Sequence, residues 1–228
     1  MIKLAELEKK IEIKFKNEDL LKEALTHRSF INEEPKWSVP HNERLEYLGD
    51  AVLELAVSEE LFSKYPTFPE GQLTVLRASL VNYQLLAKVA SDMGLDKYIL
   101  MSKGEAKDTG KAREVILANT MEALIGAIYR DQGFSPARKF IEAFIFKHLA
   151  AIIKNKSYKD SKSELQEVVQ ERMKVTPGYK VIEESGPAHQ KVFKVGVYFS
   201  DQFIAEGVGT SKQEAEVEAA KNALKKYK

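Results

Sequence analysis

Three carboxylates interrupt an otherwise apolar segment in the first quarter of the chain, and their spacing is that of one helix face. Glu43, Glu46 and Asp50 follow one another at intervals of three and four residues, which places them on one side of an α-helix. The apolar stripe beside them consists of Leu45, Leu48, Val52 and Leu55. Carboxylates beside a buried stripe are costly unless they are paired or bind a metal. A solvated acidic face, with Arg44 as local partner, is the alternative interpretation.

A second segment, residues 115–129, carries further oxygen ligands at helical spacing. Its residues are nearly all apolar or small apart from Asn119, Thr120 and Glu122, which predicts a buried helix of about four turns. Asn119 and Glu122 share one face of that helix. Two buried helices that bring such oxygens together can bind a hard divalent cation such as magnesium. The chain has no Cys and four His, in no zinc-binding arrangement, so a zinc site is disfavoured.

Composition excludes several classes of protein. The 228 residues are 44% hydrophobic, enough for one large domain or two ordinary ones with a real core. The absence of Cys excludes a disulfide framework and suits a reducing cytoplasm. The sequence contains no apolar run of about 18 residues and no signal-peptide core at its start. We therefore expect a cytoplasmic protein with no membrane partner.

The charges are almost balanced along the whole chain. There are 35 Lys and Arg against 34 Asp and Glu, a net charge of +1. Residues 158–228 hold 12 basic and 11 acidic residues, which leaves 23 of each in residues 1–157. This balance lacks the overall basic footprint of many nucleic-acid binders. Any binding of RNA would depend on local basic patches.

The hydrophobic period changes late in the chain and indicates two domains. Residues 1–153 show helical patterns without convincing strand alternation, including a helix of about 20 residues between Asn42 and Pro66. Polar residues 154–158 are the predicted linker. In residues 159–228 a helical stripe is followed by strand-like segments at 179–183, 191–199 and 202–207. A last helix begins at Ser211, where Glu214 completes a capping box. The predicted class is multi-domain α+β, an all-α domain followed by an α-β-β-β-α domain.

Several motifs together resemble the bacterial ribonuclease III family, a nuclease domain followed by a double-stranded-RNA-binding domain. The segment 42–52, Asn-Glu-Arg-Leu-Glu-Tyr-Leu-Gly-Asp-Ala-Val, is similar to the family signature. The other segments that carry the resemblance are 24–30, 69–71, 73–81, 116–133 and 158–227. The match extends over nearly the whole chain in the order of the bacterial enzymes.

The resemblance implies a metal-dependent endoribonuclease that cuts double-stranded RNA. It implies 5′-phosphate and 3′-hydroxyl ends with short 3′ overhangs, a homodimer, and a role in processing rRNA and other RNAs, including mRNA. By position, the metal ligands would be Glu46, Asp50, Asn119 and Glu122. Asp50 and Glu122 would be catalytic, with Glu43 and Glu70 as supporting acids. The expected cofactor is Mg2+, with Mn2+ as a substitute.

Position 119 departs from the family pattern, which usually has Asp where this chain has Asn119. Asn offers a neutral carbonyl oxygen in place of a charged carboxylate. We expect weaker metal affinity, with Glu46, Asp50 and Glu122 still able to support cleavage. Alternatively, Asn119 is structural and bonds a neighbouring backbone carbonyl.

The second domain contains residue types that suit an A-form duplex. Such a duplex presents 2′-hydroxyls in a shallow minor groove and phosphates between the grooves. By resemblance, Gln166, Gln170 and His189 would contact minor grooves. Lys212 would contact phosphate at the start of the last helix, where the helix dipole assists. Gln213 stands where the family usually has a second Lys, which predicts lower phosphate affinity.

Two other functions are compatible with parts of the sequence. A protein that binds double-stranded RNA with weakened or lost nuclease activity is suggested by Asn119. A structural component of a ribonucleoprotein would be expected to have lost its acidic residues more widely, and only position 119 has changed. His27 and Ser29 of the 24–30 segment are interpreted mainly as residues that tie helices together.

Overall fold

The computed structural model describes residues 4–154, 161–187 and 191–227. The chain divides into two compact units, residues 1–158 and residues 159–228. Among the described residues, no helix combines the length and apolar character needed to cross a bilayer. The predicted linker lies outside the described residues, apart from Lys154, which ends a helix.

The first unit is helical, as predicted. Its helices are α1 (Leu4–Ile11), α2 (Glu18–Ala24), α3 (Arg28–Glu33), α4 (Glu43–Lys64), α5 (Glu70–Val81), α6 (Tyr83–Asp92), α7 (Lys111–Gln132), α8 (Phe134–Phe144) and α9 (Leu149–Lys154). Short 3-10 turns occur at Leu95–Lys97, Glu105–Lys107 and Phe146–His148. An isolated bridge joins Thr26 to Leu100. Apart from this bridge, residues 4–154 contain no strand pairing.

The central element of this unit is α7, which packs against α2, α4, α6 and α8. Its middle is buried on nearly all sides, with Met121, Leu124 and Ile125 fully inaccessible. A helix that is apolar all round is stable only in such an interior position. The predicted segment 115–129 is therefore the buried part of a helix of 22 residues.

Helix α4 is also 22 residues long, but its apolar residues face in two directions. Leu45 and Val52 are buried in the core. Leu55, predicted to belong to the same buried stripe, is 58% exposed, because α4 has apolar residues on a second face that no described element covers. The predicted buried stripe was wrong at this position.

The second unit is an α-β-β-β-α domain, as predicted. Its elements are α10 (Ser161–Met173), β1 (Pro177–Ser185), β2 (Val192–Phe199), β3 (Gln202–Gly209) and α11 (Lys212–Tyr227). The three strands form an antiparallel sheet in the order β1-β2-β3. The core contains Leu165 and Val169 of α10, Val197 and Phe199 of β2, and Ala219 and Leu224 of α11. Both helices therefore cover the same face of the sheet.

The start of α11 differs in detail from the predicted capping box. The hydroxyl of Ser211 accepts a hydrogen bond from the Glu214 N–H at 3.2 Å, as expected for an N-cap. The Glu214 carboxylate, however, accepts from the N–H of Thr210 at 2.9 Å, one residue before the N-cap. The reciprocal bond still fixes the chain entering α11, and therefore the position of Lys212.

Candidate active site and RNA interface

Helices α4 and α7 touch backbone to backbone at two glycines. A Cβ atom on Gly49 would lie 1.7 Å from the carbonyl oxygen of Glu122, and one on Gly126 would lie 2.2 Å from that of Leu45. Neither position accepts a side chain without moving a helix. The crossing brings the turn of α4 that carries Glu46 and Asp50 against the part of α7 that carries Glu122.

The acidic side chains at this crossing interact electrostatically. Burial, followed by the charges of Asp50 and Glu46, raises the pKa of Glu122 to about 8. Burial and the charge of Glu43 also raise the pKa of Glu46. A hydrogen bond from Asn119 acts in the opposite direction, and the charge of Asp50 raises this pKa further. Glu122 therefore interacts with Asp50 and Glu46 across the crossing, and Asn119 contacts Glu46.

The donor set fits a hard divalent cation. Carboxylate and amide oxygens are its preferred protein ligands, and the mutual repulsion of the acids is what a cation would relieve. Within the described ranges, no three His, Asp or Glu side chains are gathered closely enough to enclose a metal ion. A metal site at the helix crossing therefore stays a prediction.

The two supporting acids lie in different surroundings. Glu43 begins α4, where one of its carboxylate oxygens is 3.6 Å from Nη1 of Arg28 and the other is 3.9 Å from Nδ1 of His41. Glu70 begins α5 and accepts a hydrogen bond from the Thr74 hydroxyl at 3.0 Å. Glu70 lines a cleft between α4 and α5, and its described contacts do not include the acids at the helix crossing. Only Glu43 therefore extends the acidic face.

His27 and Ser29 tie segments of the nuclease unit together. Nδ1 of His27 caps α3 by accepting from the Ser29 N–H at 3.3 Å, and it lies 2.8 Å from the Ser29 hydroxyl. That hydroxyl accepts from the N–H of Ser102 at 3.0 Å. Burial lowers the pKa of His27, so its imidazole is neutral near pH 7. These contacts agree with the structural interpretation of both residues.

Three of the proposed RNA-contacting residues of the second unit, Gln166, Gln170 and Lys212, are exposed on its helices. Gln166 and Gln170 are one turn apart on α10, and Lys212 is the first residue of α11. The Lys212 ammonium lies 5.7 Å from the ring centroid of Phe193. His189 lies outside the described residues. Gln213 is exposed beside Lys212.

Comparison with known proteins identifies both units. Residues 17–149 match the family described as Ribonuclease-III-like, and residues 161–227 match the double-stranded RNA binding motif. The chain is 45% identical over 224 residues to the protein named Ribonuclease 3 of Bdellovibrio bacteriovorus, covering 97% of this chain and 95% of that protein. The chain belongs to the ribonuclease III family.

Other members of the ribonuclease III family agree with this assignment. Ribonuclease 3 of Enterococcus faecalis is 44% identical over 220 residues, with 96% of this chain and 95% of that protein covered. A solved nuclease domain of ribonuclease III from Campylobacter jejuni matches with a TM-score of 0.58 and 43% identity. The match covers 63% of this chain and 96% of that domain, whose description refers to flexibility in a region involved in dimer formation. The predicted family and fold are confirmed.

Sequence reasoning missed two features of this ribonuclease III site. The first is the close helix crossing, for which the available signal was one glycine in each of two long apolar helices, Gly49 and Gly126. The second is the ion pair of Glu43 with Arg28. No spacing rule connects residues in different helices, so that pair had no local signal.

Proposed function

We propose that the acidic site on α4 and α7 hydrolyses double-stranded RNA with a bound divalent metal, Mg2+ being the expected ion and Mn2+ a substitute. Membership of the ribonuclease III family makes the chain a double-stranded-RNA endoribonuclease. The observation that supports the site assignment is the glycine crossing, beside which Glu122 interacts electrostatically with Asp50 and Glu46. These three acids and Asn119 would hold the metal, with Asp50 and Glu122 as the catalytic pair.

The protein residues prepare the site for this chemistry. When bound, the metal supplies an activated water and neutralises charge on the phosphoryl and leaving oxygens. The raised pKa of Glu122 keeps this residue largely protonated at neutral pH in the metal-free protein, so metal binding must displace that proton. Asn119 acts on Glu46 as a hydrogen-bond donor. We assign 5′-phosphate and 3′-hydroxyl products with short 3′ overhangs, and processing of rRNA and mRNA, to this activity.

A homodimer is the proposed working form. Tyr47, Leu55 and Phe62 form an exposed apolar stripe along α4, with exposures of 82%, 58% and 74%. A cleft of about 420 Å³ between α4 and α5 continues the stripe. Large exposed apolar side chains in one row are typical of an interface, and a two-fold axis would pair the row with itself. Each subunit would then cut one strand.

The test of cleavage uses the full chain, a labelled perfect RNA duplex and increasing magnesium or manganese. We expect cuts that leave 5′-phosphate ends, and we expect Glu122→Gln to lose cleavage while it still binds the duplex. Glu34→Gln, an exposed acid just beyond the end of α3, is the matched control and should cut normally. If the wild-type chain binds the duplex but leaves it intact at every metal concentration, the alternative of an RNA-binding protein disabled at Asn119 replaces this proposal.

We also propose the domain limits 1–153 and 159–228, with residues 154–158 as linker. Separate apolar cores support them, because each unit buries its own residues. Deleting residues 154–228 should leave a folded dimeric nuclease with weak RNA binding, as judged by circular dichroism, sedimentation and RNA titration. Aggregation or loss of helicity in the shortened chain would show that the proposed domain limits are wrong. A cytoplasmic location, based on the absence of Cys, stays a prediction.

A further inference from the structure

The segment Thr26–Ser29 forms a rigid base beside the first turn of α4. The carbonyl of buried Thr26 accepts from the N–H of Asn42 at 2.9 Å, and the N–H of His27 donates to Leu100 at 2.8 Å. The Ser29 hydroxyl accepts a hydrogen bond from the N–H of Ser102 at 3.0 Å. The backbone of the segment is therefore anchored on three sides, and one anchor is the residue directly before Glu43.

Arg28 is the exposed side chain of this anchored segment. Its side chain is 71% exposed, and its Nη1 lies 3.6 Å from the Glu43 carboxylate. The Arg28 side chain makes no other hydrogen bond or ion pair with the described residues. An exposed pair at this distance contributes little to stability, and the remaining guanidinium N–H groups are available to a ligand.

The position of Arg28 relative to the acidic site suggests that ligand. Glu43, Glu46 and Asp50 line one face of α4, and Arg28 stands at its N-terminal end. RNA that presents a phosphate to the site must also present neighbouring phosphates along its strand. A guanidinium binds phosphate through paired hydrogen bonds. We propose that Arg28 binds an RNA backbone phosphate beside the one that is cut.

Glu43 has a positioning role in this proposal, which rests on the proposed cleavage function. Its carboxylate holds the guanidinium on the acidic face and partly offsets its charge. The anchored backbone limits the freedom that Arg28 loses on binding, which favours affinity. Arg28 thereby supplies a cation on a surface whose acids would otherwise repel the RNA.

The experiment measures duplex binding by the full chain in magnesium, with Glu122→Gln in every protein to prevent cleavage. Fluorescence anisotropy is recorded from about 50 to about 200 mM salt. In this background, Arg28→Gln should weaken binding about threefold or more and reduce the slope of log affinity against log salt by about 1. Arg28→Lys should keep most of the slope. Lys139→Gln, an exposed cation on α8, should change neither quantity.

Kinetics of the cleaving protein separate binding from positioning. Without the Glu122 change, Arg28→Gln should raise KM and leave kcat nearly unchanged, because the phosphate contact exists before and during the reaction. An unchanged salt slope, or a fall in kcat alone equal to that of Glu43→Gln, would overturn the proposal and make Arg28 only a partner of Glu43. A wild-type chain that binds the duplex without cutting it would instead reject the proposed function.

Discussion

Gly49 and Gly126 face each other where α4 crosses α7, with the Gly49 N atom 3.1 Å from the place of a Cβ on Gly126. Helices that carry larger residues at a crossing keep their axes about 8–10 Å apart. The absence of side chains here permits direct backbone contact. Because the acids lie on the turns beside this contact, the separation of the helices sets the distance of Glu122 from Glu46 and Asp50.

Replacing Gly126 by Ala should damage both stability and cleavage. The added methyl group would lie 2.2 Å from the Leu45 carbonyl oxygen, so α4 must move away, at a cost of about 1–3 kcal/mol. Urea unfolding and cleavage rate measure the two effects. The matched control is Gly71→Ala on α5, where a Cβ meets nothing within 4 Å and where Ala should stabilise the helix slightly. Equal free energies of unfolding for the two variants would contradict the close backbone contact at Gly126.

The metal-free protein should lose stability as the pH rises from 5 to 8. The pKa of Glu122 is about 8 in the folded state against an ordinary 4.5. Between these values the folded chain keeps a proton that the unfolded chain has lost, so stability declines with pH, by at most about 1.4 kcal/mol per unit. Thermal melts in EDTA should show this decline, and Glu122→Gln should flatten it. Glu34→Gln, at an exposed position outside α4, should behave as wild type.

Asn119→Asp should increase metal affinity. The new carboxylate adds attraction for a divalent cation in a partly dry site, and about tenfold less magnesium should give half-maximal cleavage, equivalent to roughly 1.4 kcal/mol. Without metal, the same change should lower the melting temperature, since it adds repulsion to Glu46 and Glu122. Asn32→Asp on exposed α3 is the control. If the magnesium concentration for half-maximal cleavage is unchanged, residue 119 is structural and is not a metal ligand.

Gln213→Lys should strengthen RNA binding by the second unit. The position is exposed in the first turn of α11 beside Lys212, where the helix dipole and free N–H groups favour phosphate. One added phosphate contact should steepen the salt dependence by about 1. Anisotropy with a duplex measures it, and Gln202→Lys at the exposed start of β3 serves as control. A similar gain in both variants would indicate general charge attraction instead of a defined contact.

Residue periodicity was sufficient to predict the class of each unit and the identity of the acidic helices. Helix α7 was recognisable because a run of apolar residues has few stable environments outside a core. Glu43, Glu46 and Asp50 were recognisable because the fixed rotation per residue of an α-helix places such spacings on one face. The order of helix and strands in the second unit followed in the same way from a change of period before the strand-like segment at 179–183.

Tertiary packing decided the features that join separate segments. The sequence by itself determined which side chains share a helix face, because that depends on backbone geometry within one element. It did not determine that Leu55 stays exposed, that Arg28 pairs with Glu43, or that Gly49 meets Gly126. Those outcomes depend on how closely two elements approach and at what angle, which the summed packing of many distant side chains sets.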